Sequence, residues 1–404
     1  MPAPQNIHKP HAGQTTLHRY RHFLIGALIY LFLVQCAVLF RGIPKAVAGF
    51  ADFRSFYAAG YMVRSGDAHR LYDLNLQEQA QTLVTPERGV LPFLYPAYSA
   101  LLFVPLSLLS WRNAYLVFFG VNLLLLWLSA RFLRDSLSHL SGLWPPLLLV
   151  LFFCFFPAGE ALMQGQTSIL LLALYCAAFA ALQKGWPLRA GICLGLAILK
   201  MQTALPVLLL FLLWRRWRVA AGFLAGAAAA LAVSLSITGY PAFLQYWRSL
   251  FLMATSASGV TSRFAIAPAM MPNLFGLATL LSGGAAWGSR LAAAMSLLIV
   301  LWIASRPCSL PTALIVGLLL SRYLGMHDLV LLLLPISLAL NYFLEHPDEF
   351  RARALAITSA VLLLPPAYLF LMGRSLLSAL AVVLLALLFF FALPVRRESR
   401  AQTA

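Results

Sequence analysis

Long apolar segments recur along the chain and are separated by short stretches that hold most of its charged residues. The four clearest contain no charged residue: Phe23 to Phe40, Val219 to Ile237, Leu355 to Leu371 and Leu376 to Leu393. An α-helix needs about 20 predominantly apolar residues to cross the hydrocarbon core of a bilayer. The segments do not alternate between apolar and polar residues, as the strands of a transmembrane barrel would. The pattern therefore predicts an all-α, polytopic integral membrane protein with about twelve transmembrane helices.

Composition agrees with this prediction, and the placement of the charges argues against a nucleic acid partner. Of 404 residues, 62% are hydrophobic and 10% charged, and the mean hydropathy is +0.85, whereas soluble domains carry about 25% charged residues. The formal net charge of +17 could suggest a nucleic acid partner. The basic residues, however, cluster at the ends of apolar segments: Arg19 and Arg21, Arg131 and Arg134, Arg215, Arg216 and Arg218, Arg351 and Arg353, Arg396 and Arg397. Cytoplasmic loops of membrane proteins are enriched in Lys and Arg, so no nucleic acid partner is expected.

The same charges predict how the chain is divided. Because His18, Arg19, Arg21 and His22 precede the first apolar segment, residues 1–22 are expected to be a cytoplasmic tail and not a cleavable signal peptide. The transmembrane domain is expected over residues 23–393, with residues 41–93 as its first extracytoplasmic loop, and residues 394–404 as a cytoplasmic C-terminal tail. Four later loops are expected on the outer side: Glu160 to Gln166, Lys200 to Thr203, Gly239 to Ser289 and Met326 to Asp328.

The first extracytoplasmic loop is unusually acidic and has helical patterning. It holds five of the twelve acidic residues of the chain. Phe53, Phe56, Tyr57 and Tyr61 recur at helical spacing, and Arg54 lies off that stripe. This pattern is typical of amphipathic helices, and we expect one or two of them lying on the outer surface.

Two segments are too irregular to be plain spans. If Tyr95–Ser110 crossed fully, the following basic loops would fall on the wrong side, so this segment is expected to be re-entrant or incompletely spanning. Ala190–Trp214 has Lys200, Gln202 and Pro206 near its middle and basic residues beyond both ends. This favours two half-length helices that meet at Lys200. Broken helices are tolerated where they line a cavity or the protein interior, so the break points to a functional site.

Ionisable residues at membrane depth are costly, and each is therefore a functional hypothesis. The polar residues expected on the outer side are Asp52, Glu160, Gln164, Gln166, Lys200, Arg248, Arg263, Asn273, His327 and Asp328. If they converge, they form a polar pocket suited to a ligand with a charged head and a lipid tail. Taken singly, each has a structural alternative, such as helix capping by Asp52 or snorkelling of Lys200 to the interface. The sequence has no metal motif, Gly-rich phosphate loop or nucleophile elbow, so these residues alone leave an enzyme and a transporter open.

A series of short motifs points to one family. In chain order they are Asp52-Phe53-Arg54-Ser55-Phe56-Tyr57-Ala58-Ala59, Leu71-Tyr72-Asp73, Leu94-Tyr95-Pro96, Pro105-Leu106-Ser107, Gly165-Gln166-Thr167-Ser168, Ala190-Gly191, Lys200 with Pro206, Arg215-Arg216-Trp217-Arg218, Pro272-Asn273-Leu274-Phe275-Gly276 and His327-Asp328. Their order and spacing resemble glycosyltransferase family 87, the polyprenyl-phosphate-mannose-dependent mannosyltransferases with the GT-C-type fold. The resemblance extends from about Arg41 to Leu340. Ala97 departs from the family pattern, which tends to have a second proline there.

The resemblance implies a reaction and a site. GT-C enzymes transfer a sugar from a lipid-phosphate donor to an acceptor hydroxyl outside the membrane, generally with inversion, and an aspartate of the first outer loop is the general base. Asp52 occupies that position. Lys200, then His327, then Arg263 are expected to stabilise the leaving phosphate, and Gln166 and Tyr95 to position the sugar or shape the groove. Supporting roles are expected for four residues: Arg54, Gln164, Asn273 and Asp328.

The sequence thus predicts a multi-pass glycosyltransferase of a bacterial plasma (inner) membrane, with its active site on the extracytoplasmic side. The expected donor is a polyprenyl-phosphate hexose, with mannose as the first choice, and the expected acceptor is a glycolipid or glycan. No cofactor and no metal site are expected. Three alternatives remain: transfer of another sugar such as arabinofuranose or glucose, a lipid or sugar transporter, and a non-catalytic scaffold with the same fold.

Overall fold

The protein is built from α-helices and short 3₁₀ segments. The computed structural model describes residues 12–85, 90–144, 146–255 and 267–393, and these ranges contain no strand. The α-helices are α1 Ala12–Lys45, α2 Phe53–Arg64, α3 Leu74–Gln81, α4 Trp111–Leu133, α5 Ser138–Leu143, α6 Leu147–Cys154, α7 Phe156–Gln164, α8 Ser168–Gln183, α9 Pro187–Leu196, α10 Met201–Leu213, α11 Trp217–Thr255, α12 Leu274–Leu281, α13 Trp287–Ala304, α14 Leu310–Leu320, α15 Leu333–Glu345, α16 Phe350–Leu363, α17 Pro365–Gly373 and α18 Leu380–Ala392. The predicted all-α fold is confirmed.

Several of these helices can cross a bilayer. Six helical segments are long and apolar enough to do so, and the bent pairs α6–α7 (66°) and α16–α17 (58°) bring the number to eight. Three shorter apolar helices, α8, α14 and the segment ending with α18, lie among them. The expected number of about twelve spans is approached only when these short helices are included. The chain is a polytopic membrane protein.

The segment after α1 folds into the two amphipathic helices that the sequence predicts, but one of them is not at the surface. α2 is buried along most of its length, and even Arg54 is only 8% exposed. Aromatic rings cover it, with Phe53 stacked on Phe118 at 5.0 Å and Phe56 on Phe103 at 4.9 Å between ring centroids. The expectation that α2 lies on the outer surface is therefore wrong, because α4 and the Tyr95–Ser110 segment pack over it.

The Tyr95–Ser110 segment does not cross the bundle. It forms two 3₁₀ turns, Ala97–Phe103 and Leu106–Leu108. Both its ends stay beside α2: the Tyr57 hydroxyl donates to the Leu109 carbonyl (2.9 Å), and the Tyr95 ring packs on the Phe56 ring with 5.0 Å between centroids. The prediction of an incompletely spanning segment is confirmed.

The predicted break at Lys200 is also confirmed, and the chain turns back there. A 3₁₀ segment, Ala197–Lys200, separates α9 from α10. Although Pro187–Leu213 is long enough to cross once, its packing shows two antiparallel halves. α9 runs parallel to α11: a Cβ on Gly191 would lie 2.1 Å from the Val219 carbonyl oxygen, and one on Gly195 2.2 Å from that of Phe223. Since α11 starts three residues after Trp214, α10 must return to the level where α9 begins.

The lengths of the two halves agree with this geometry. α9 and its 3₁₀ extension rise about 23 Å, and the 13 residues of α10 return about 20 Å. Two further helix junctions lie at the same point: α7 and α8 are joined at Gly165–Thr167, and α14 leads through Met326–Leu332 into α15. The tips of all three pairs meet, because Ser168, Lys200 and Asp328 are hydrogen bonded to one another. The opposite ends carry the basic turns around Lys184, Arg189, Arg215 and Arg306.

The meeting point lies well inside the bundle. The Asn122 side chain, at the middle of the 23-residue α4, lies 3.5 Å from the Gln166 carbonyl oxygen, with its amide nitrogen as donor. α4 is about 34 Å long. The three tips are therefore about halfway along it, beneath α2 and the segment that covers α2.

Candidate active site

Asp52 lies at the start of α2, where the first long helix ends in a π-helical turn, Ala46–Phe50. Gly49 adopts φ +103° in that turn, which directs the chain from α1 towards the three tips. The Asp52 side chain makes no capping hydrogen bond to α2. Instead, its Oδ2 accepts a 2.6 Å hydrogen bond from Gln166 Nε2. The alternative that Asp52 merely caps its helix is therefore excluded.

The glutamine side chains come from the turn between α7 and α8. Gln164 Oε1 accepts the backbone N–H of Asp52 at 3.2 Å, and Gln164 Nε2 donates to Glu160 Oε1 at 3.2 Å. Gln166 is buried, with 4% of its surface exposed. The structure thus brings together four residues that the sequence placed in the outer pocket, although Asp52 and Gln166 are 114 positions apart.

A buried ion pair contacts Ser168, which lies two residues further along the chain from Gln166. Lys200 Nζ contacts Asp328 Oδ1, and each of these residues is only 3% exposed. Ser168 bridges them: its hydroxyl donates to Asp328 Oδ1 at 2.6 Å and accepts from Lys200 Nζ at 3.1 Å. Asp328 Oδ2 also accepts the backbone N–H of Gly325 at 3.2 Å. An ion pair this well enclosed is satisfied largely by its own members.

His327 and Tyr95 lie close to both Asp52 and the Lys200–Asp328 ion pair. The His327 side chain is 14% exposed, and its Nε2 lies 3.6 Å from Asp328 Oδ1. Desolvation raises the pKa of the Tyr95 phenol, and the positive charge of Lys200 opposes that rise. The Tyr95 phenol is therefore neutral, and it is close enough to Lys200, Asp328 and Asp52 for their charges to influence it.

The other predicted site residues have different positions. Asn273 caps α12: its Oδ1 accepts from Gly276 N–H at 2.8 Å and its Nδ2 donates to the Ser321 carbonyl at 2.7 Å. Both ends of its amide are thus used in hydrogen bonds within the fold. Arg54 is buried in α2. Arg263 lies outside the described residues.

Ser168 belongs to the Gly165-Gln166-Thr167-Ser168 motif, but its sequence context predicted no role for it. Its only signal was its position after Gly165-Gln166-Thr167, at the first residue of an apolar helix. A serine at a helix start is usually a cap, and here Ser168 has no capping function in α8 but joins the Lys200–Asp328 pair. Nothing in the local pattern could show that partner, which is 160 residues away.

The arrangement can accept a proton at Asp52. One carboxylate oxygen is held by Gln166, and Oδ1 has no hydrogen-bond partner among the residues that the structure describes. A carboxylate with one fixed and one open oxygen suits a general base. In the described ranges, no three His, Cys, Asp or Glu side chains are grouped as metal ligands.

Comparison with known proteins supports one family. The sequence profile of glycosyltransferase family 87 matches residues 93–335, which is more than half of the chain. The match contains Gln166, Lys200, His327 and Asp328 but not Asp52, which is linked to it by the hydrogen bond to Gln166. No curated protein and no solved structure matches the chain significantly.

Proposed function

Because this chain belongs to glycosyltransferase family 87, we propose that it transfers a hexose, mannose as the first choice, from a polyprenyl phosphate to an acceptor hydroxyl. In this proposal Asp52 is the general base. The main support for this role is the position of the Asp52 carboxylate. Its Oδ2 accepts a 2.6 Å hydrogen bond from Gln166, close to the buried cluster of Ser168, Lys200 and Asp328. The carboxylate would remove the hydroxyl proton as the bond between the sugar C1 and the phosphate oxygen breaks, with inversion at C1.

The leaving phosphate needs positive or hydrogen-bonding groups. Lys200 was the first choice from the sequence, but its ammonium group already contacts Asp328 and Ser168. His327 is the more accessible neighbour, with a side chain 14% exposed. We therefore place His327 and the phenol of Tyr95 next to the phosphate, with Arg263 as a further cation, and give Lys200 an indirect part through the ion pair.

The position of the basic turns relative to the three helix tips supports an extracytoplasmic reaction. The basic turns lie at the opposite end, and such turns are retained in the cytoplasm. A lipid-linked donor and a glycolipid or glycan acceptor suit a polar site that is enclosed by apolar helices. A bacterial plasma membrane is the proposed location.

Other sugars remain alternatives to mannose, and arabinofuranose or glucose would use the same base. The transporter alternative has one observation in its favour. The sequence indicated a single broken helix, whereas three helix junctions meet at the site, and broken helices are common in transporters. Family membership and the open oxygen of Asp52 favour the transferase.

The test is transfer of radiolabelled mannose from polyprenyl-phosphate-mannose to lipid extract by membranes that contain the full-length chain. Asp52→Asn keeps the shape of the side chain but cannot take the proton, so transfer is expected to fall about 10²–10⁴-fold, as in Asp52→Ala. Asp67→Asn, on the 3₁₀ turn after α2, is the matched control and should retain wild-type transfer.

Two results would count against the proposal. Transfer that survives both Asp52 substitutions would remove Asp52 as the base and direct attention to Glu160 or Asp328. If the wild type transfers no mannose, a panel of donors with other polyprenyl-linked sugars separates a different sugar specificity from a transporter.

A further inference from the structure

We infer that Gln164, Gly165 and Gln166 form a positioning clamp for Asp52, and that Gln166 fixes one carboxylate oxygen in place while the other faces the acceptor. The inference rests on the proposed function, in which Asp52 is the general base. It assigns Gln166 to the base, whereas the family resemblance suggested contact with the sugar. Both ends of Asp52 are held: Gln164 accepts its N–H at 3.2 Å, and Gln166 donates to its Oδ2 at 2.6 Å.

The orientation of the Gln166 amide follows from its partner. A carboxylate only accepts hydrogen bonds, so the amide must present its NH₂ group, since the reverse orientation would place two oxygens 2.6 Å apart. The amide thereby holds the Asp52 side chain in one orientation through a short hydrogen bond to a carboxylate oxygen. Gln166 Oε1 is buried and has no partner among the described residues, so the amide is not recruited by another group. The contact with Asp52 is therefore its main interaction.

Gly165 makes the clamp possible. It adopts φ +60°, and a Cβ there would lie 2.7 Å from the Cβ of Phe53, the residue after Asp52. A glycine allows the turn to pass close enough for the glutamines on either side to reach Asp52. Gln164 is oriented in turn by its hydrogen bond to Glu160 Oε1.

Other charges also act on this carboxylate, and they come from three further elements. Glu160 of α7 is the acidic neighbour, and Lys200 and His327 are the basic ones. Tyr95 adds a phenol from the segment over α2. These groups are unchanged in a Gln166 variant, so a change in the behaviour of Asp52 reports the loss of the amide.

Two variants test the clamp. Gln166→Leu removes the hydrogen bond at similar volume, and we expect kcat to fall about ten- to a hundredfold while the KM for the donor changes by about twofold at most. In Gln166→Glu, two carboxylates at hydrogen-bond distance would share one proton. Its transfer rate should be low at pH 7 and recover towards pH 9, unlike the rate of the wild type. Gln79→Glu, on the exposed face of α3, adds the same charge to the same loop and should keep the wild-type pH profile.

A second measurement does not depend on transfer. A hydrophobic carbodiimide modifies protonated carboxyl groups, and peptide mass spectrometry locates the modified residue in the full-length protein. Asp52 should be protected at pH 7 in the wild type and modified in Gln166→Glu. Labelling curves that coincide in all variants, or a Gln166→Leu enzyme with wild-type kcat, would overturn the clamp. Absence of transfer by the wild type would instead contradict the proposed function, while the labelling would still decide the clamp.

Discussion

The Lys200–Asp328 pair allows a quantitative test of why three helix tips meet at one point. Both side chains are almost fully buried, at 3% and 4% exposure. Replacing one member leaves a buried charge without its partner, which costs about 3–5 kcal/mol, whereas replacing both is often neutral or stabilising. We therefore expect Lys200→Met and Asp328→Asn each to destabilise the protein, and the double variant to recover most of that loss.

The assay is thermal unfolding of the purified full-length protein in detergent. At about 2 °C for each kcal/mol, the single variants should lose roughly 6–10 °C in midpoint temperature, and the double variant much less. Arg131→Met is the matched control, because Arg131 and Asp135 are 54% and 75% exposed and 3.8 Å apart. Such a surface pair contributes at most about 1 kcal/mol.

Equal midpoints in the wild type and both single variants would refute the reasoning, and so would a double variant whose loss is the sum of the two single losses. Transfer activity separates the two roles of Lys200. If the role of Lys200 is structural, the double variant should regain activity together with stability. If Lys200 instead binds the donor phosphate, the double variant should be folded but have a raised KM for the donor.

Two further predictions concern packing. In Gly222→Leu the new side chain would clash with the Leu188 carbonyl oxygen, which lies 2.2 Å from a Cβ at that position. We therefore expect α9 and α11 to separate and the folded protein to be lost from detergent extracts, as measured by size-exclusion chromatography. The control Gly120→Leu, with no atom within 4 Å of its Cβ position, should behave as the wild type. In Asn273→Ala the Ser321 carbonyl and the Gly276 N–H each lose a partner, and a loss of about 1–3 kcal/mol should lower the unfolding midpoint without changing the KM for the donor.

The apolar segments of the sequence determine the membrane character, the all-α class and the two irregular segments. Each of these depends on residues close in the chain. Lys200, Gln202 and Pro206 interrupt one apolar run, and such an interruption is visible without knowledge of the neighbours. The motifs also identify the family, since they are local strings in a fixed order.

The depth of α2 could not be read from its pattern. A periodic apolar stripe shows that one face is covered, but it does not show whether a later segment covers the other face. Here the chain at Ala97–Phe103 returns over α2, and Gly60 allows the Phe103 backbone to approach within 2.5 Å of a Cβ position. Arg54 lies off the apolar stripe and was expected on the exposed face of a surface helix, but the covering segment buries it.

The partners within the site were likewise decided by tertiary structure alone. The sequence proposed Asp52, Gln166, Lys200 and Asp328 as members of one pocket, but the pairings span 114 residues for Asp52 with Gln166 and 128 for Lys200 with Asp328. Whether two groups form a hydrogen bond depends on differences of a few tenths of an ångström in their separation, and these separations follow from how the three helix tips pack. Local pattern determines which residues are costly to bury, and the packing of the tips determines which of them satisfy one another.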